Sequence, residues 1–133
     1  KICSTLTEKN YKGIIVIHSS VEPGTTEKLS QMYSNLKFMH SPIIINNRDF
    51  YNSINNRKNI IIGKPENGHL EDMYKVRTFF ENMYNKEAII HCSNSSESEA
   101  TKIFFNSYNA VKLQLFNEFY NFCGNKHINY HDY

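Results

Sequence analysis

The chain has 133 residues, with 15 Lys and Arg against 13 Asp and Glu, six His and three Cys, for a formal net charge of +2. That length suits one ordinary domain with its own core, and the near balance of charge leaves no basic stripe of the kind that binds nucleic acid. No apolar run approaches the roughly 18 residues that a membrane-spanning helix needs, so no membrane partner is expected.

The start does not read as a signal peptide, and Cys3, Cys92 and Cys123 have no Cys-x-x-Cys spacing. Neither a disulfide framework nor a zinc site is expected, and a reducing, cytoplasmic setting follows as the simpler inference. The histidines are scattered. His127 and His131 would share a face if helical, but they bring no third ligand, so no metal is expected.

The opening residues, to about Lys12, read as the tail of a helix. A β-branched run then predicts a strand over 14–18, and Pro23-Gly24 ends it in a turn. Thr25 or Thr26 is the expected N-cap of a helix over 25–34. A strand over 37–41 follows, then an irregular loop, a strand over 59–62, a helix over 69–84 and a strand over 87–92. The last ends at Cys92, whose thiol is expected to be buried and inert. Strands alternating with helices predict an α/β fold with a mostly parallel, helix-covered sheet.

Ser96-x-x-Glu99 is a capping-box signature, with Glu99 expected to reach back to the Ser96 amide and open a long helix near Glu97. Running to about Cys123, that helix spans about 40 Å at 1.5 Å per residue, more than a small sheet needs. The expected division is therefore 1–93 for the sheet and 94–133 for the long helix. Lys102 and Asn106 lie four apart on that helix and point the same way, among Ile103, Phe104, Phe105, Tyr108 and Val111. Taken alone, the pair reads as well as a solvated stripe.

The wider pattern is Glu99-x-x-Lys102-x-x-x-Asn106-x-x-x-Ala110-x-Lys112, then Asn117-Glu118. It resembles the central helix of the UDP-glucose and GDP-mannose dehydrogenase family at each of these positions. His18-Ser19-Ser20-Val21-Glu22-Pro23-Gly24-Thr25-Thr26-Glu27 is similar to that family's Ser-Thr-Val-x-Pro-Gly-Thr-Thr-Glu turn, with Ser20 in place of threonine. Asn59 to Gly63 resembles its Arg-Ile-Val-Ile-Gly strand, with Asn59 or a shifted Arg57 where arginine is usual. Leu36 to Pro42 sits where the family has a strand ending in Pro-Glu-Phe-Leu-Arg-Glu, but Ile43 and Asn47 stand in place of its carboxylates.

The resemblance implies the second half of a Rossmann-like NAD-binding domain followed by the interdomain helix. It also implies oxidation of a nucleotide sugar's C6 alcohol to a carboxylate with NAD as cofactor. Lys102 would stabilise the oxyanion at C6, Asn106 would donate a neutral hydrogen bond beside it, and Ser20 would hold the active-site water. Ser19 and Ser20 would lie on the cofactor side. A homodimer through the long helix, with Phe116, Phe119, Tyr120 and Phe122 in the contact, is implied as well. The sequence has neither the Gly-x-Gly-x-x-Gly fingerprint nor the family's catalytic-cysteine segment. A non-catalytic remnant, kept as a structural or assembly module, is therefore the alternative expectation.

Overall fold

The structure, a computed structural model, describes residues 1–44, 57–84 and 87–126. Eight elements follow in chain order: α1 (Ile2–Glu8), β1 (Ile14–Ile17), α2 (Thr25–Met32), β2 (Lys37–His40), β3 (Asn59–Lys64), α3 (Leu70–Met83), β4 (Ile89–Asn94) and α4 (Ser95–Asn125). The expected order is reproduced, with ends displaced by a few residues as helix and strand ends usually are. The largest shifts are at α1, which stops at Glu8, and at β4, which runs to Asn94.

The four strands form one sheet in the order β1-β2-β3-β4. β1 and β2 are parallel, with Ile14 opposite Lys37 and Ile17 opposite His40. β3 and β4 are parallel from Asn59–Ile89 to Lys64–Asn94. The two pairs join through one antiparallel residue pair, His40 and Gly63. The fold is thus α/β with a mostly parallel sheet and a long final helix, and its one antiparallel joint falls at strand ends.

Met39, Ile60, Ile62, Met73, Val76 and Phe80 form the core, with Ile14, Val16, Tyr84, Ala88 and Ile90 packed around it. Met73, Val76 and Phe80 recur at helical spacing, so α3 lays one apolar face on the sheet. Asp72, on the same helix and buried, takes a 2.8 Å ion pair from Lys37 at the start of β2. That pair fixes α3 against the strand it covers. Among the described residues, no helix is long and apolar enough to cross a membrane.

The chain divides into two compact units, 1–103 and 104–133, and the division falls within α4. In the first unit, Ser95, Ser98 and Glu99 of the opening turns are buried. In the second, Phe104, Val111, Leu113 and Tyr108 are all more than 60% exposed, and Phe116 meets Phe119 edge to face at 6.2 Å. Such apolar exposure on several sides of one helix exceeds what a solvated surface carries.

Two sequence expectations are corrected here. Cys92 is exposed rather than buried, because β4 presents most of its residues to solvent. The capping box of α4 is Asn94-x-x-Glu97, not Ser96-x-x-Glu99. The Glu97 amide donates to Asn94 Oδ1 at 2.8 Å and the Asn94 amide donates to Glu97 Oε2 at 3.1 Å. Both tetrads fit the pattern, and the earlier one begins the helix.

Candidate functional site

The carboxyl ends of β1 and β2 and the first turns of α4 converge on the joint between the two strand pairs. In open α/β sheets this edge is where ligands bind. The Ser41 amide continues the ladder by donating to Ile17 O at 2.8 Å, so the chain leaves both strands together. His18, just past β1, donates from Nδ1 to the Ser41 carbonyl.

His40 closes β2 and is fully buried. Its Nε2 faces the Ser19 carbonyl at 3.2 Å and its Nδ1 faces Ser98 Oγ at 2.7 Å. A carbonyl accepts only, so Nε2 carries a proton. Burial holds the imidazole below its ordinary pKa of 6.5, against smaller opposing effects from the Ser19 carbonyl and the nearby Glu99 charge, with His18 adding a little to the lowering. The neutral ring therefore accepts at Nδ1 from the Ser98 hydroxyl. If the ring is protonated, that hydroxyl turns to Ser95 O, 2.9 Å away, and Nδ1 becomes the donor.

This arrangement sets the sign of an acid response. Unfolded His40 takes up its proton near pH 6.5, and the folded ring does so only at lower pH. The unfolded state binds more protons in that window, so the His40 contribution to stability is complete above it and is lost as pH falls through it. The melting temperature is expected to drop between pH 7.5 and pH 5. His40→Gln, whose amide can serve both Ser19 O and Ser98, should lose part of that drop; an identical acid slope would rule His40 out.

Glu99 is buried as fully as His40. It accepts from the Gly24 amide at 2.6 Å through Oε2, and from the Thr26 amide and hydroxyl at 2.8 and 2.5 Å through Oε1. The expected Thr25 or Thr26 cap is replaced. Gly24 is the N-cap of α2, at a φ of 92° that suits glycine, and the side chain meeting the free amides comes from α4.

Lys102 lies one turn further along α4, half-buried, with Nζ donating to the Ile43 carbonyl at 2.6 Å. Desolvation pulls its pKa below the usual lysine value. Ser19 and Ser20 are exposed just beyond β1. The topology thus brings Ser19, Ser20 and Lys102 to one sheet edge. Asn106 is exposed and belongs to the second unit, while Asn47, His127 and His131 lie outside the described residues. The sequence reading missed His40, Ser98 and the role of Glu99. A lone histidine at a strand end carries no spacing signal.

Beside this edge, a cleft of about 640 Å3 opens at the ends of β3 and β4, lined by Glu27, Lys64, Leu70, Cys92, Asn94 and Ser96 among others. Lys64 does not offer its charge to it freely, because Nζ donates to the carbonyls of Pro65, Glu66 and Gly68.

A mostly parallel sheet with covering helices and a long final helix places the chain among α/β folds of the Rossmann-like kind. Three solved nucleotide-sugar dehydrogenases share this fold. GDP-mannose dehydrogenase from Pseudomonas aeruginosa superposes with a TM-score of 0.69 at 16% identity, over 88% of this chain and 28% of that one. UDP-glucose dehydrogenase from Pyrobaculum islandicum gives 0.65 at 21% identity, over 79% and 24%. NDP-N-acetyl-D-galactosaminuronic acid dehydrogenase from Methanosarcina mazei Go1 gives 0.60 at 17%, over 90% and 28%. The chain therefore spans about a quarter of the length of the structures it matches, and the fold resemblance read from the sequence is shown over that stretch. No protein-family model and no curated protein matches the sequence.

Proposed function

We propose that this chain is the middle portion of an NAD-dependent nucleotide-sugar 6-dehydrogenase, oxidising a sugar C6 alcohol to a carboxylate. The observation that carries the reading is Lys102, a half-buried ammonium held at the strand-end edge by the Ile43 carbonyl. Among the described residues one of its three N–H donors is used there, and the others could serve an oxygen on which negative charge develops. The fold shared with three nucleotide-sugar dehydrogenases supports the reading, as does the Glu99-x-x-Lys102-x-x-x-Asn106 pattern.

In this reading Ser20 orients water and Asn106 adds a neutral donor. Ser19 and Ser20, exposed hydroxyls past β1, fit polar contact with a dinucleotide but not the cradling of its diphosphate, for which the sequence has no glycine fingerprint. NAD, when bound, supplies the hydride acceptor. The exposed apolar residues of α4 beyond Phe104 are read as the contact of a homodimer, and the setting as cytoplasmic. The sugar and its nucleotide are left unassigned, because nothing in this chain distinguishes UDP-glucose from GDP-mannose or an N-acetylated sugar.

The alternative is a non-catalytic structural or assembly module, favoured by Ile43, which puts an aliphatic side chain where the resembled family has a carboxylate. NADH formation separates the two. The catalytic reading expects NADH on adding UDP-glucose, GDP-mannose or an N-acetylated nucleotide sugar with NAD, at two NADH per sugar. A folded full-length protein containing this chain that forms no NADH with any of the three favours the module.

A further inference from the structure

The partners of Glu99 exceed what a residue in the first turn of a helix needs. A buried carboxylate is costly unless its lone pairs are met, and among the described residues its three donors all come from the segment that follows β1. Two are unpaired amides at the start of α2, where the partial positive charge of the helix end favours an anion. α2 has no side-chain cap of its own. Its cap is supplied by α4, from a residue more than seventy positions later.

Ser98, the neighbouring residue, grips the other end of the same segment. It bonds His40 Nδ1, and His40 Nε2 donates to the Ser19 carbonyl. Consecutive residues of α4 thus hold Ser19 through His40 and Gly24 to Thr26 directly. Lys102 follows at i+4 from Ser98 and i+3 from Glu99, on the same side of the helix.

We propose that Glu99 is a positioning residue: its carboxylate sets the first turns of α4 on the segment after β1 and so fixes where the Lys102 ammonium stands relative to Ser19 and Ser20. Its consequence for turnover rests on the reading of Lys102 given above; its geometric consequence does not. Glu99→Gln keeps the size of the side chain but turns an amide NH2 against the N–H or O–H donors of Gly24 and Thr26. One hydrogen bond is lost if the amide nitrogen takes the place of Oε2 and two if it takes the place of Oε1, and those that remain are no longer charge-assisted.

The test is the acetylation rate of each lysine at limiting acetic anhydride, read by mass spectrometry, with exposed Lys112 as internal reference. Glu99→Gln is expected to raise the Lys102-to-Lys112 rate ratio about tenfold, the scale set by loss of a charge-assisted hydrogen bond. Glu27→Gln, which disturbs the bonds its carboxylate accepts from the Glu66 amide and from Gln31 and none to Glu99, should leave the ratio unchanged. An unchanged ratio in folded Glu99→Gln overturns the proposal.

If Glu99→Gln does not fold, Thr26→Ala decides. It deletes one of the three donors, and a ratio raised about threefold at Lys102 is expected for one lost hydrogen bond; no rise overturns the proposal. Where the wild-type protein forms NADH, folded Glu99→Gln should also lose about tenfold in kcat with KM little changed, as misplacement of a charge-stabilising group does. A full-length wild type that forms no NADH defeats the dehydrogenase reading, and the labelling ratio still decides the positioning role.

Discussion

Lys102→Ala is expected to lower turnover with nucleotide sugar by about a hundredfold to a thousandfold while KM stays within about threefold, the pattern left when a group acting mainly on transition-state charge is removed. Lys102 is half-buried and its pKa is lowered by desolvation, so water competes poorly for whatever its ammonium faces. A ground-state alcohol or carbonyl oxygen gains little from that charge. An oxyanion gains much more, and so the loss falls on kcat.

Stability should change little, because among the described residues the side chain makes a single hydrogen bond, to the Ile43 carbonyl, and its own burial is only partial. Lys102→Arg tests the geometry. Its charge is kept, but a planar guanidinium on a longer stem does not reproduce a point charge seated on one carbonyl, so most of the activity should still be missing. On the dehydrogenase reading, turnover of the wild-type protein should also fall on the alkaline side below the ordinary lysine value of 10.5, where Lys102 loses its proton. Unchanged turnover in Lys102→Ala would remove the residue from the mechanism.

Elements were legible in this chain wherever the signal was local. The β-branched run at Ile14 to Ile17 and the Pro23-Gly24 turn located β1 and α2. The motif on α4 was legible as a pattern of types and spacings. What could not be read were bonds between distant positions. Glu99 looked like the second half of a capping box because Ser96 precedes it by three, yet Asn94 and Glu97 satisfy the same rule two residues earlier. Once they do, Glu99 is free to cap another helix. His40 had no periodic partner, and its role exists only because the ends of β1 and β2 meet the start of α4. The joint at His40 and Gly63 is a one-pair contact that no strand-period argument detects.

That joint carries the largest stability prediction. A Cβ on Gly63 would fall on Ser98 Oγ and come within 2.8 Å of Ser95 Cα and Ser98 Cβ. Two of these are atoms of the helix framework, and no rotamer change moves them away. The opening turn of α4 would have to lift from the sheet, and with it would go the Ser98 contact to His40 and the seat of Glu99 on Gly24 and Thr26. Overpacking of this kind costs about 3 kcal/mol, and loss of the buried hydrogen bonds adds to it. Gly63→Ala is thus expected to lower the melting temperature by about 10 °C or more for a domain of this size. Gly13→Ala is the matched control. Its Cβ would meet only the ring and hydroxyl of Tyr11, a side chain that is 40% exposed and able to swing aside. A Gly63→Ala protein that melts with the wild type would mean that α4 does not approach the sheet this closely. The Glu99 seat would then have to be sought in a different register of helix and strand.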